Sequence, residues 1–137
     1  MPSIFSKIIN REIPAHIVYE DEHVIAFLDI QPVSPGHTLV VPKQESVNAL
    51  EATLEDLAHV LRVVQQLAPR IVKTVGAQGC NITTNIGEAA GQSVFHTHFH
   101  IIPRFSEDNL SSWPKMSVTQ DELAQMAERI REHLLTI

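Results

Sequence analysis

The chain has 137 residues, 44% hydrophobic and 19% charged, with ten Lys and Arg against sixteen Asp and Glu. That length suits one domain (residues 1–137) with one sizeable core, and a net charge of −6 with pI about 5.7 argues against a nucleic-acid polymer as partner. A single cysteine, Cys80, excludes an internal disulfide and fits a reducing cytoplasm, while the lack of a long apolar run or a charged-then-apolar leader argues against a membrane span or signal peptide.

In chain order, residues 4–10 read as a short helix that ends near Asn10-Arg-Glu-Ile-Pro14. Residues 18–20 and 24–28 flank the acidic turn Asp21-Glu22 and read as a hairpin, and residues 38–42 as the next strand. A long helix starts at about Thr53, where Thr53-Leu-Glu-Asp56 resembles a capping box with Asp in place of Glu. Leu54, Leu57, Ala58, Leu61, Val64, Ala68, Ile71 and Val72 follow helical spacing, with Val60, Val63 and Leu67 beyond that stripe. An apolar surface this wide exceeds what one sheet face needs and predicts an isologous two-fold contact, a homodimer. Pro69 predicts a kink and Gly76 suits the position just past the helix end. Strands are expected at 80–85 and 94–103, joined by a turn at Gly87 and Gly91. An irregular segment then runs through Trp113-Pro114. Thr119-Gln-Asp-Glu122 caps a last helix, about 119–136, with Leu123, Met126, Ala127, Ile130 and Leu134 on one face. Short strands joined by tight turns, with helices set apart, give an α+β fold with an antiparallel sheet.

The chemistry concentrates in Val94-Phe-His-Thr-His-Phe-His-Ile-Ile-Pro-Arg104, where three of the eight histidines fall on alternate positions. On a strand, His96, His98 and His100 share one face at roughly 6.6–7 Å intervals, and Phe95, Thr97, Phe99 and Ile101 turn into the core. A solvated face with chance histidines is one reading. A metal site is another, since two imidazoles at i and i+2 can ligate one ion, but no carboxylate lies close by in sequence to complete the set. Metal-free nucleophilic and acid–base catalysis by imidazole is the third. It gains from Gly91, Gln92 and Ser93 just upstream, which can offer N–H groups and a hydroxyl to an anion.

The segment Gly91-Gln-Ser-Val-Phe-His-Thr-His-Phe-His-Ile101 resembles the signature of the histidine triad (HIT) family, Hint-like branch, with Thr97 replacing an apolar spacer. Ile4-Phe-Ser-Lys-Ile-Ile9, Ile13-Pro14, Ala26-Phe-Leu-Asp-Ile30 and Pro35-Gly-His-Thr-Leu-Val-Val-Pro-Lys43 extend the likeness over residues 3 to about 114. The resemblance implies five antiparallel strands per subunit and a homodimer with a shared ten-stranded sheet. It implies a hydrolase that releases a nucleoside monophosphate, AMP above all, from nucleoside phosphoramidates through a nucleotidyl-histidine. His98 matches the nucleophile, His37 and His96 the groups that orient and polarise it, and His100 and Ser93 those that contact the phosphate and serve the leaving group. Asp29 matches a ribose contact and Asn85 a residue of the phosphate and ribose pocket. Gly91, Gln92, Ser93 and Val94 match the phosphate loop, and Ile4, Phe5, Ile8, Phe27 and Ile30 the wall against a purine base. His16, His23, His59 and His133 match no catalytic position and read as surface residues.

Within enzymes the alternative is dinucleoside polyphosphate hydrolysis, since Ile102-Pro-Arg104 also resembles the Fhit-like branch. A nucleotide-binding scaffold with vestigial activity is the alternative outside them. Many bacterial relatives in this family carry Cys-x-x-Cys near the N-terminus and bind structural zinc. Here Ser3 and Ser6 occupy those positions and Glu45 replaces a histidine ligand, so no zinc, and no metal or cofactor elsewhere, is expected.

Overall fold

The computed structural model describes residues 2–134, and residues 135–136 of the expected last helix lie outside them. The elements are α1 (Ile4–Ile9), β1 (Ile17–Glu20), β2 (Val24–Leu28), β3 (Thr38–Pro42), α2 (Leu54–Val75), β4 (Gly79–Thr83), a short 3-10 turn (Glu88–Ala90), β5 (Phe99–Arg104) and α3 (Gln120–Leu134). The five strands form one antiparallel sheet in the order β1-β2-β3-β5-β4, as the α+β reading expects. No helix among the described residues is long and apolar enough to cross a membrane.

In β2 and β3 every buried position but Thr38 is apolar, because both faces of the sheet are covered. Period two divides their side chains. Val24, Ala26 and Val40, with Ile101 of β5, pack under Val60, Val63, Val64 and Ala68 of α2. Ile25, Phe27, Leu39 and Val41 pack under Phe5 and Ile8 of α1. Since Ile101 faces α2, its neighbour His100 faces α1, paired across the ladder with Leu39. His37, two residues before Leu39, reaches the same side.

Local chemistry fixes the helix ends. Thr53 accepts the Asp56 N–H at 3.0 Å, and Gly76 ends α2 with a left-handed φ of +72° and its N–H on the carbonyls of Lys73 and Val72. α2 continues through Pro69 to Val75 without interruption. The start of β3 runs hard against the C-terminal turn of α2. At Gly36 (φ +86°) a β-carbon would stand 2.9 Å from Val75 Cγ1, so only glycine lets the chain pass there.

Three expectations need correction. The histidine segment is not one strand from 94. β5 starts at Phe99, because β3 pairs with it only from Thr38 to Val40 and β4 only up to Thr83. Beyond those points the 94–98 segment is held by other bonds: Thr97 N–H on Ser46 O at 2.8 Å and the Thr84 hydroxyl on His98 O at 2.7 Å. Phe95 is therefore 52% exposed rather than in the core. β4 spans 79–83, not 80–85. The buried face of α2 is also turned from the expected stripe: Val60, Val63, Val64, Leu67, Ala68 and Ile71 form their own i, i+3, i+4, i+7 set against the sheet, leaving Leu54 85% exposed. The last helix forms as expected, and α3 buries none of its residues: Leu123, Met126, Ile130 and Leu134 stay about half exposed.

Candidate active site

A cavity of about 460 Å³ opens on the α1 side of the sheet, with His98, His100, Ser93, Val94 and Asp29 among its lining. Ile4, Phe5, Ile8, Phe27 and Ile30 all line it. Phe5, Ile8 and Phe27 belong equally to the core beneath. Ile30 does not: it is 84% exposed, an apolar rim at the mouth.

Backbone partners fix the imidazole protons. A peptide carbonyl only accepts and a peptide N–H only donates. His98 Nδ1 lies 2.7 Å from the carbonyl of His96, so it carries the proton and leaves Nε2 as the lone-pair nitrogen. His96, fully buried, donates from Nε2 to Pro42 O at 2.9 Å. Its Nδ1 meets the Ser3 hydroxyl at 2.8 Å. Val33 N–H donates to His37 Nδ1 at 3.1 Å, which places the His37 proton on Nε2. That proton points at His100 Nδ1, 2.9 Å away, so neutral His100 carries its own proton on Nε2. The hydrogen-bond partner of His37 is thus His100, where the resemblance sets His37 beside the nucleophile.

Burial holds the His37 pKa below the ordinary 6.5 and does the same to His98, Asp29 opposing in both. Burial, with the His98 and His37 rings adjacent, takes His100 down to about 4. All three rings are neutral near pH 7. In the unfolded chain they titrate near 6.5, so below about 6.5 the unfolded state binds protons the folded state refuses, for His100 down to about 4. Stability is full above that window and is lost as the pH falls through it. Thermal melts from about pH 7 to 5 are expected to show Tm falling by several degrees, with a shallower fall in His100→Asn. A Tm that stays level in wild type would show that the rings protonate freely in the fold.

The turn before the histidines is braced from within. Gln92 is buried; its Oε1 accepts the Gly87 N–H at 2.8 Å and its Nε2 donates to Val47 O at 2.7 Å and Val94 O at 3.1 Å. This side chain is committed to the loop. Gly91 takes a left-handed φ of +96°, and Ser93 stands exposed at the cavity mouth. Asn85 lies in a neighbouring cleft with Asn81, Thr84, Arg104 and Trp113 rather than on the lining around His98. Asp29 Oδ1 accepts the Gln31 N–H at 2.8 Å, while Oδ2 sits 3.6 Å from His37 Nε2. Ile13, Pro14, Ala15, Leu28, Gln31 and Leu39 also line the cavity. Sequence reasoning missed their place there because neither an apolar residue beside a helix or strand end nor a lone Gln31 in a turn carries a mark of facing a pocket. Of the histidines set aside, His59 is half-buried and stacks on His23 with ring centroids 4.1 Å apart.

Asp29, His37 and His100 bring ligand atoms within 4.8 Å of one another. The proton assignment argues against a cation there: Nδ1 of His37 receives a backbone N–H, so Nε2 keeps its proton, whereas a ligating imidazole donates from its other nitrogen. At Ser3, Ser6 and Glu45 the donor set is two hydroxyls and one carboxylate, already bonded to one another and to His96. That set is poor for zinc.

The HIT domain family model matches residues 10–107. An uncharacterized HIT-like protein of Methanocaldococcus jannaschii is 51% identical over 105 residues, 77% of this chain and 81% of that protein. Among solved structures, a member of the HIT family from Bacillus subtilis is 40% identical with a TM-score of 0.86, covering 96% of each chain. A histidine triad nucleotide-binding protein from Candida albicans is 33% identical with a TM-score of 0.85, covering 98% of each.

Proposed function

The chain belongs to the HIT domain family, and from that premise we propose that it is a nucleotide hydrolase acting on nucleoside phosphoramidates by covalent catalysis at His98. The observation that carries this reading is the 2.7 Å bond from His98 Nδ1–H to His96 O. It leaves a neutral imidazole with a bare Nε2 in a side chain that lines the cavity, which is the form a nucleophile needs. The similarity to a histidine triad nucleotide-binding protein adds support for a nucleotide as ligand.

In the proposed course, His98 Nε2 attacks the α-phosphorus and the bond to the leaving nitrogen breaks, giving nucleotidyl-His98. The leaving amine takes a proton from the Ser93 hydroxyl, which recovers one from solvent. Water then attacks the same phosphorus, releasing the nucleoside monophosphate and restoring His98. His100, with Nδ1 occupied by His37, donates its Nε2–H to a phosphate oxygen. It does so as a neutral donor rather than the second imidazolium that the chemistry alone suggests. Asp29 Oδ2 faces the ribose diol, and the apolar slot between α1 and Phe27 takes the purine face. Apolar walls discriminate bases weakly, so AMP release is expected to exceed GMP release only modestly.

Turnover of an adenosine phosphoramidate in EDTA, set against diadenosine tri- and tetraphosphate, tests the assignment. Robust phosphoramidate cleavage with chelator present is expected. Faster cleavage of the dinucleotides would move the protein to polyphosphate hydrolysis, and nucleotide binding without turnover of either would leave a scaffold.

A homodimer belongs to the same reading. β4 is an edge strand, and α2 presents Leu54 and Leu61 away from its own sheet. α3 does not fold back over them, since none of its residues is buried. An isologous contact of β4 with β4 and α2 with α2 covers both features. Light scattering at low micromolar concentration is expected to give twice the chain mass of 15.3 kDa. A value at the chain mass itself would rule the dimer out.

A further inference from the structure

Ser3 lies 93 residues from His96 in sequence, yet its hydroxyl is the partner of His96 Nδ1. With the His96 proton on Nε2, facing Pro42 O, the bonds around Ser3 take one consistent direction. Glu45 accepts only, so the Ser6 hydroxyl donates to Glu45 Oε1 at 2.7 Å. Ser3 Oγ accepts the Ser6 N–H at 3.0 Å. The Ser3 proton then has two acceptors, Ser6 Oγ at 3.3 Å and His96 Nδ1 at 2.8 Å, and the shorter bond goes to the imidazole. His96 Nε2–H is already on Pro42 O. The ring is clamped from both nitrogens, and the carbonyl of the same residue receives His98 Nδ1–H.

We propose that Ser3, oriented by Ser6 and Glu45, is a positioning residue for the nucleophile: its O–H fixes His96, and the His96 carbonyl in turn holds His98 in the tautomer with a bare Nε2. The assignment of a catalytic role to that tautomer rests on the proposed function. The clamp also joins the nucleotide pocket to the nucleophile, because Ser3 caps α1 and Phe5, two residues on, sets its ring edge-on against His98 with centroids 5.0 Å apart.

Ser3 is also the N-cap of α1, so the test must separate cap from donor. Threonine keeps both properties, aspartate keeps the cap but has no proton to give a neutral imidazole, and alanine has neither. Ser3→Asp and Ser3→Ala are expected to lose about tenfold in kcat with KM within about twofold, and Ser3→Thr to retain most of kcat. Tm should fall for Ser3→Ala and stay near wild type for Ser3→Asp. A kcat in Ser3→Asp equal to wild type would reduce Ser3 to a helix cap. A readout independent of turnover is the long-range 15N–1H spectrum of the substrate-free protein. Wild type should show His98 protonated at Nδ1 alone, and both variants a mixture. If His98 keeps a pure Nδ1–H signature in Ser3→Ala and Ser3→Asp, the clamp is refuted, whatever the enzyme proves to hydrolyse.

Discussion

His98→Ala is expected to abolish phosphoramidate turnover, a loss of about 4 kcal/mol or more in barrier, on the order of a thousandfold in kcat. The covalent route needs a nitrogen lone pair at this position, and no neighbour supplies one. His100 Nδ1 is taken by His37 and its Nε2 carries a proton, while both nitrogens of His96 are bonded away from the cavity. Binding should change far less, within about tenfold, because the base slot and Asp29 are untouched and the alanine leaves only a hole beside Phe5. Titration of a nonhydrolysable nucleotide analogue beside steady-state kinetics separates the two effects. If the variant keeps a tenth or more of wild-type kcat, water attacks phosphorus directly and His98 only assists.

Asp29→Ala is expected to raise KM for ribonucleotide substrates by about one to two decades and to matter little for 2′,3′-dideoxy analogues. Two carboxylate oxygens suit a vicinal diol, and charge-assisted bonds of that kind are the strong ones. Asp29 has a structural alternative: it closes a turn on Gln31 N–H and stands 3.6 Å from His37. Equal losses with ribose and dideoxyribose substrates would assign it to that turn.

What the sequence disclosed was mostly local. The apolar runs of β2 and β3, the Thr53 cap and the Gly76 stop are each decided by neighbours within a few positions, and each could be read directly. The histidine spacing was legible as a row, but where that row joins the sheet was not. Period two persists through residues 94–98, and only the partners, β3 paired up to Val40 and β4 ending at Thr83, determine that the ladder stops at Phe99. The face of α2 misled for a related reason. Two adjacent stripes are apolar, and the one under the sheet is chosen by β2, β3 and β5, which helical spacing does not contain. The proton map was wholly out of reach. Val33 to His37 is a local bond, but His37 to His100 spans 63 residues and Gln92 to Val47 spans 45. The bracing role of the Gln92 side chain was equally out of reach, because its partner Val47 lies in another part of the chain. The Ser3 clamp had a faint signal, since the resemblance sets two serines and a glutamate at positions expected to hold metal ligands, but that pattern pointed to what is missing rather than to the hydrogen bonds found there.

The central claim is that a nucleotidyl group rests on His98 during turnover. Wild-type protein mixed with an adenosine phosphoramidate, quenched within milliseconds at alkaline pH and digested, should yield the peptide containing His96, His98 and His100 with one adenylyl group, localised by fragmentation to His98. Product AMP appearing in the first turnover with no adenylylated peptide at any quench time, or with the group on His96 or His100, would contradict it.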